Sequence, residues 1–510
     1  MRRAIPLLLS LLFTNETAAS TAPTNVLFIL TDNQPASILG AYGNRDVRTP
    51  NIDRLAQEGM LFTNAFAVNG MCSPTRATLM TGLMPSQHGV HNWLDDSMLK
   101  DWPRDWSAIV EFRTLPLTLA NEGYRTAMIG KWHLGQPWKP AVGFQDWVTF
   151  TDGHTVDFWH NTIIENGETY KLDDRHTVDF FAEKAVEFIE KQEGSQPFYL
   201  QLNLNGPYLN PPSNLGPARN RHYASYKNNA FSDFPRVAFN ANVAQQLVDP
   251  VTPPFLIEKH LQAIAMHNDR ETMANVSSQN TLVDDGVGRV LAALDAAGLV
   301  ESTLIIFSSD QGNFYGQHGL WQHTVVTSPS NLYEAAMNIP LIVSHKGAVQ
   351  AGTRNQRLIG QYDLPATILD YLGIGVDLEG SPGRSFVGQL RGQGASWNDE
   401  VFYEQEESRG VRTPQFAYWK RLKGTGQGEL YDMQADPAQD HNIIDNPAYQ
   451  EIAATLDQRL IEFFTRYSAP EYDLWKGGVA KGSVVRPEMF KALYGPDWSP
   501  RTDLRQPFSE

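Results

Sequence analysis

Val26-Leu27-Phe28-Ile29-Leu30 runs directly into Thr31-Asp32-Asn33, and far downstream Thr303-Leu304-Ile305-Ile306-Phe307-Ser308 runs into Ser309-Asp310-Gln311-Gly312. Both runs are apolar without alternation, which suits strands covered on both faces, as in a parallel sheet. Arg125 to Ile129, Phe198 to Leu204 and Pro340 to Ser344 read the same way. Between them lie helical patterns. Pro50 to Glu58 has Thr49 as its expected N-cap and Gly59 as its stop, and a long helical stretch extends from about Leu256 to Ala297. This alternation predicts an α/β fold: a doubly wound, mostly parallel sheet flanked by helices. Residues 205–254, rich in Asn, Pro and aromatics, read as a long functional loop. After Asp399 come short strand-like pieces, Val401 to Glu404 and Ala417 to Leu422, and a helix from Ala448 to Tyr467. They predict a smaller α+β C-terminal domain with an irregular tail after Ser468. The expected boundaries are 1–20 for a signal peptide, 24–395 for the main domain and 396–510 for the second.

The chain has 510 residues, 42% hydrophobic and 19% charged, too many for one core and too apolar for disorder. Its net charge of -16 argues against a general nucleic-acid binder. Arg2-Arg3, the apolar stretch Ile5 to Phe13 and the small residues Ala18-Ala19-Ser20 form the three regions of an export signal. That apolar stretch is about half of the ~20 residues a bilayer span needs, and no later stretch is long enough. The expected location is therefore periplasmic or secreted. Exported chains favour disulfides, yet Cys72 is the only cysteine.

In a doubly wound sheet the C-terminal ends of strands face the ligand crevice. Asp32-Asn33 and Asp310-Gln311 both stand there, and their oxygens suit one hard cation, Ca²⁺ ahead of Mg²⁺. Strand-end Asp and Asn also cap helices without binding anything. Around the lone cysteine, Cys72-Ser73-Pro74-Thr75-Arg76 opens a helix that ends before Gly82, with Ser73 expected to cap it. Backbone N–H groups at that helix start, with Arg76 one turn inside, would form an oxyanion pocket around the only thiol.

Cys72-x-Pro74-x-Arg76 resembles the sulfatase maturation motif, in which the cysteine is oxidised to formylglycine. Gly123-Tyr124-Arg125-Thr126-Ala127-Met128-Ile129-Gly130-Lys131-Trp132-His133-Leu134-Gly135 is similar to the second sulfatase signature. Thr49-Pro50-Asn51-Ile52-Asp53, Asp284-Asp285-Gly286-Val287-Gly288-Arg289 and Glu429-Leu430-Tyr431-Asp432 follow in the family's order. The resemblance implies an alkaline-phosphatase-like fold, one divalent ion and a formylglycine-generating enzyme as maturation partner. It further implies metal ligands Asp32, Asn33, the converted Cys72, Asp310 and Gln311. The hydrated formylglycine would attack sulfur through one oxygen and expel sulfate through the other. Arg76 would hold nucleophile and ligands, Lys131 would bridge nucleophile and sulfate, and His133 would serve as base.

Four positions depart from the family pattern. Asn33 replaces a usual Asp, and Gln311 replaces a usual Asn or His, leaving one negative charge fewer at the ion. Tyr208 stands where a histidine often protonates the leaving group, and His323 stands where a substrate lysine is common. His323 is therefore the candidate general acid, unless it and His318 are plain loop residues. The expected activity is hydrolysis of a sulfate monoester, preferably on a sulfated carbohydrate. Trp93, Trp102, Trp106, Trp132, Trp138, Trp147 and Trp159 offer aromatic faces for a sugar, or pack the core. Arg219, Arg221, His222 and Lys227 offer further anion contacts, or a solvated loop. The rivals are a phosphonate monoester hydrolase or phosphodiesterase, and a non-catalytic binder of sulfated glycans.

Overall fold

The computed structural model describes residues 24–94, 102–192, 195–208, 220–249, 252–376, 378–393 and 396–501. The signal-peptide reading of 1–20 and the anion contact expected from Arg219 fall outside the described residues. Among those described, no helix is long and apolar enough to cross a membrane.

A ten-stranded sheet carries the fold. Its strands are β1 (Asn25–Asp32), β2 (Met60–Phe66), β3 (Arg125–Gly130), β4 (Asp146–Phe150), β5 (Asn161–Glu165), β6 (Glu168–Leu172), β7 (Phe198–Pro207) and β8 (Thr303–Ser309). After a small hairpin of β9 (Phe314–Tyr315) and β10 (Trp321–Gln322), β11 (Asn338–Ser344) and β12 (Thr353–Gly360) complete it. The spatial order is β12-β2-β11-β8-β1-β7-β3-β4-β5-β6. The central block from β8 to β4 is parallel. The flanks mix directions: β11 is antiparallel to both β2 and β8, and β5 and β6 form antiparallel pairs at the other edge.

Every residue of β1 is buried, and its side chains alternate between two cores. Val26, Phe28 and Leu30 enter one, Leu27 and Ile29 the other. Each such side chain contributes roughly 1.5–3 kcal/mol, so the strand that ends in Asp32 is fixed from both sides. Helices α1 (Pro50–Glu58) and α2 (Cys72–Thr81) cover opposite faces, α1 through Ile52 and Leu55, α2 through Leu79 and Met80. On the α1 side lie α3 (Thr177–Glu190) and, further along the chain, the long helix that follows α4 (Pro254–Met266), namely α5 (Arg270–Ala296).

Helix α1 spans Pro50–Glu58 as expected, with a different side chain capping it, and two other expected boundaries move. Thr49 does not cap α1 with its side chain. Asp284 on α5 does so instead, accepting from the N–H groups of Asn51 (3.2 Å) and Ile52 (2.8 Å). The next turn of α5 comes so close to α1 that a Cβ on Gly288 would lie 2.5 Å from Asn51 Cγ. The helix expected from Leu256 to Ala297 is two, broken where Asn268 adopts a positive φ of 56° and Asp269 caps α5 through the Thr272 N–H at 2.7 Å. Finally, α2 begins at Cys72 itself, and Ser73 faces sideways to accept the Leu94 N–H at 3.0 Å.

A second, antiparallel sheet contains β13 (Val401–Gln405), β14 (Ser408–Arg412), β15 (Phe416–Arg421) and β16 (Glu429–Asp432). Leu456, Leu460 and Phe464 of α6 (Gln450–Arg466) pack on it against Phe402, Val411, Tyr418 and Leu430. The residues after Ser468, expected to be irregular, are tied back to the main sheet domain. The Lys481 N–H donates to Gly89 O (2.7 Å), Ser483 Oγ to Trp93 O (2.6 Å) and Arg486 Nη2 to Thr327 O (2.8 Å).

Candidate active site

The loop before α2 is fixed from three directions. Asn69 Oδ1 accepts from the Met71 N–H (2.9 Å), and Asn69 Nδ2 donates to Glu404 O (2.8 Å). Gln405, at the β13–β14 turn, accepts from the Gly70 N–H at 3.2 Å. The smaller sheet therefore sets the position of Cys72, which opens α2 and is buried. Arg76, one turn along, is wholly buried. Its Nε and Nη2 reach Asp310 Oδ2 at 3.0 and 2.8 Å, and its Nη1 donates to Lys131 O at 2.8 Å.

Lys131 follows a tight strand exit. Gly130 has a φ of 115°, and a Cβ there would lie 1.8 Å from Asn203 O, so only glycine lets β3 end this way. Lys131 Nζ donates to Asp32 Oδ2 at 2.7 Å, and its charge also lies 4.8 Å from the centre of the Tyr208 ring. The two strand ends are joined directly, since the Asn33 N–H donates to Asp310 Oδ1 at 3.1 Å. Cys72 Sγ lies 3.5 Å from Gln311 Nε2 and 4.0 Å from Asn33 Oδ1. Ligand atoms of Asp32, Cys72 and Asp310 all fall within 4.8 Å of one another. The structure thus gathers all five expected ligand residues, with Arg76 and Lys131, at one point on the sheet edge.

This donor set fits a hard cation. Asp32 Oδ1 and Gln311 Oε1 are buried without a hydrogen-bond partner among the described residues. Buried acceptors left in that state cost about 1–3 kcal/mol each, which a coordinated ion would offset. Gln311 Nε2 now donates to Asn33 Oδ1 at 2.6 Å, and a half-turn of an amide exchanges its nitrogen for oxygen. Burial raises the Asp32 carboxyl to about 6, with Lys131 opposing and Asp310 adding to the rise. Burial also pushes the Cys72 thiol up to about 12, so as a thiol it is a poor nucleophile.

Above Cys72 opens a cavity of about 210 Å³. His133, Tyr208 and His323 line it, as expected, and so do His154 and Lys259, which the sequence reading missed. His133 Nε2 is 3.0 Å from Leu94 O; a carbonyl only accepts, so Nε2 carries the proton. Nδ1 is then an unprotonated nitrogen, buried and without a hydrogen-bond partner among the described residues. Burial, reinforced by Lys131, holds His133 well below the usual histidine range. Burial, then Lys259 and Lys131, lowers His323 to about 3.

Most of the aromatic and basic candidates are structural. Trp102 and Trp106 pack together at 4.1 Å, and Trp132 and Trp147 at 5.1 Å, within the core. Trp138 and Trp159 pack against the two cores, half-buried. Trp93 alone among the tryptophans considered lines the cavity, edge-on to Phe255 at 5.5 Å. Arg221 is held by Asp179 (2.7 Å) and Asp285 (2.5 Å), and His222 by Asp285 (2.7 Å), so the anions they meet belong to α3 and α5. Lys227 is exposed and lines no part of the cavity, and His318 stacks on Tyr333 at 3.8 Å.

A parallel-centred sheet with Asp32 and Asp310 at the ends of adjacent strands, facing the buried start of α2, is the arrangement the resemblance to alkaline-phosphatase-like hydrolases implies. Comparison with known proteins narrows this class. The Sulfatase family model matches residues 24–374, and that of N-sulphoglucosamine sulphohydrolase, C-terminal, matches 316–466. The N-acetylglucosamine-6-O-sulfatase of Bacteroides thetaiotaomicron is 25% identical, covering 90% of this chain and 89% of its own. A structure solved with its substrate D-glucosamine-2-N,6-O-disulfate superposes with a TM-score of 0.71 at 24% identity, over 89% of this chain and 99% of that one. The phosphonate monoester hydrolase of Agrobacterium radiobacter superposes with a TM-score of 0.64 at 21% identity, over 87% and 96%. The chain belongs to the sulfatase family and is a sulfuric ester hydrolase.

Proposed function

We propose that this sulfatase hydrolyses a sulfate monoester on a glucosamine-containing, glycosaminoglycan-type carbohydrate, using Cys72 converted to formylglycine and one divalent ion, Ca²⁺ first. The observation that carries the mechanism is the convergence of Asp32, Cys72 and Asp310 within 4.8 Å, braced by Arg76 and Lys131 beneath the cavity. The substrate class is supported by the N-acetylglucosamine-6-O-sulfatase that matches 90% of this chain and by the structural relative solved with D-glucosamine-2-N,6-O-disulfate. The cavity's mixture of an aromatic wall and polar groups suits one sugar face with its sulfate. The N-terminal segment is proposed as the signal for export to the periplasm or medium, and a formylglycine-generating enzyme is proposed to convert Cys72 before folding buries it.

The aldehyde hydrate supplies a pair of oxygens where a buried thiol supplies only a weak nucleophile. Asp32, Asn33, Asp310 and Gln311 would hold the ion, which when bound polarises sulfate oxygens. Arg76 keeps Asp310 and the Lys131 carbonyl in register, so the nucleophile and its ligands stay aligned. Lys131 brings positive charge to the point where the transferring sulfate gains negative charge. His133, with Nδ1 unprotonated, accepts a proton from the attacking or departing hydroxyl. His323 is proposed to give the leaving oxygen its proton: a bound sulfate ester supplies the negative field that favours its charged form, which burial and two lysines otherwise oppose. Tyr208, its ring beside Lys131, then orients rather than protonates.

The phosphonate monoester hydrolase with the same fold makes a parallel assay decisive. On matured protein with added Ca²⁺, 6-O-sulfated N-acetylglucosamine and an aryl sulfate should be hydrolysed with kcat/KM at least about 100-fold above a matched aryl phosphonate monoester, and EDTA should abolish turnover. A preference for the phosphonate would replace the sulfate ester as substrate. Calcium-dependent binding of the sulfated sugar without turnover would favour the non-catalytic reading.

A further inference from the structure

Two lysines bring positive charge to the cavity from different parts of the fold. Lys131 rises from the sheet edge, where its ammonium is 2.7 Å from Asp32. Lys259 comes from α4, a helix outside the sheet that packs along β10 and the turn after it, on either side of His323. The sequence of α4 dictates which face turns inward. Leu256, Lys259 and His260 lie three and four residues apart on one side of the helix. Leu256 is buried against Met71, Val325 and Val485 of the C-terminal tail. His260, fully buried, donates from Nε2 to Val326 O at 3.1 Å. Those two anchors fix the helix so that Lys259 enters the cavity beside His323.

Lys259 presents a partly buried cation to the cavity. Its side chain is half-buried, and burial lowers its pKa, with the neighbouring Glu258 opposing. Its charge is also the largest electrostatic influence on His323, so the two groups are near neighbours. A cation drawn against a cavity wall is desolvated at a cost, and an anion entering the cavity offsets that cost. The remaining wall of Met71, Trp93, Phe255, Leu256 and Val325 is apolar and strengthens any charge interaction inside it.

We propose that Lys259 binds the anionic group of the sulfate ester from α4, outside the strand-end site, and thereby sets affinity for substrate and for the sulfate product. This proposal rests on the sulfatase reading above. Lys259 is then an affinity residue, separable from His323, whose loss acts on kcat.

The test compares wild type with Lys259→Met, Lys259→Arg and His323→Ala, each with conversion of Cys72 measured by peptide mass. For an aryl sulfate, Lys259→Met should raise KM and the inhibition constant of inorganic sulfate about 10- to 100-fold with kcat changed less than about threefold. Lys259→Arg should stay within about threefold of wild type in both constants, and His323→Ala should lose mainly kcat. Unchanged KM and sulfate inhibition in Lys259→Met would overturn the proposal, as would a loss confined to kcat. Lys259→Gln replaces Lys259→Met if the latter does not fold. Should wild type hydrolyse no sulfate ester, the sulfatase mechanism has failed separately. Calorimetric titration with inorganic sulfate still decides the role of Lys259, equal affinities of wild type and variant contradicting it.

Discussion

Cys72→Ala lowers kcat toward every sulfate ester by at least about 10,000-fold, because alanine lacks the thiol whose oxidation would leave an aldehyde at that carbon, so no nucleophilic hydrate forms. The reason lies in what surrounds Sγ. Asp32, Asn33, Asp310 and Gln311 converge on that one position, and neither His133 nor His323 can replace an oxygen nucleophile there. Stability should hardly change, since the substitution removes a single small buried atom whose polar contacts are 3.5 Å or longer. Steady-state turnover together with a thermal melt checks both halves. Retained turnover within tenfold of wild type would show that the chemistry does not begin at Cys72.

Arg76→Met carries the largest expected effect on stability. The Arg76 guanidinium is fully buried and donates twice to Asp310 Oδ2 while standing 3.9 Å from Asp32 Oδ1. Removing it leaves two buried carboxylates with Lys131 as the remaining cation beside them among the described residues, and breaking a buried pair in this way costs about 3–5 kcal/mol. For a chain of this size that corresponds to a fall in Tm of about 3–5 °C. The comparison belongs in a Cys72→Ala background, so that altered maturation does not enter. Adding Asp310→Asn to Arg76→Met should restore at least half of the loss, because the stranded charge goes with it, while activity stays absent in the matured form. If Arg76→Met melts with its parent, the pair is not a structural brace and Arg76 acts only on the reaction.

The central sheet was legible because β1 and β8 are buried on both faces, which leaves an unbroken apolar run in the sequence. Strand direction was not. Pro340 to Ser344 reads like its parallel neighbours, yet β11 runs antiparallel to β8, since burial fixes composition and says nothing about polarity along the sheet. The break between α4 and α5 had a signal in Asn268-Asp269, a turn residue followed by a capping residue. In the site, the residues in short motifs at strand and helix ends were found: Asp32, Cys72, Arg76, Lys131, His133 and Asp310. Lys259 and His154 were not. They reach the cavity by tertiary packing of segments without a motif, and Lys259 looks like any solvated helix lysine until His260 and Leu256 are seen to be buried beside it.

The proposed chemistry depends most directly on the chemical state of residue 72. Mass spectrometry of the proteolytic peptide spanning Cys72, from protein secreted by a host that carries a formylglycine-generating enzyme, reads that state. The expected result is an aldehyde in place of the thiol, in a fraction of molecules that tracks specific activity from one preparation to the next. Fully active protein whose peptide carries only unmodified cysteine would contradict it.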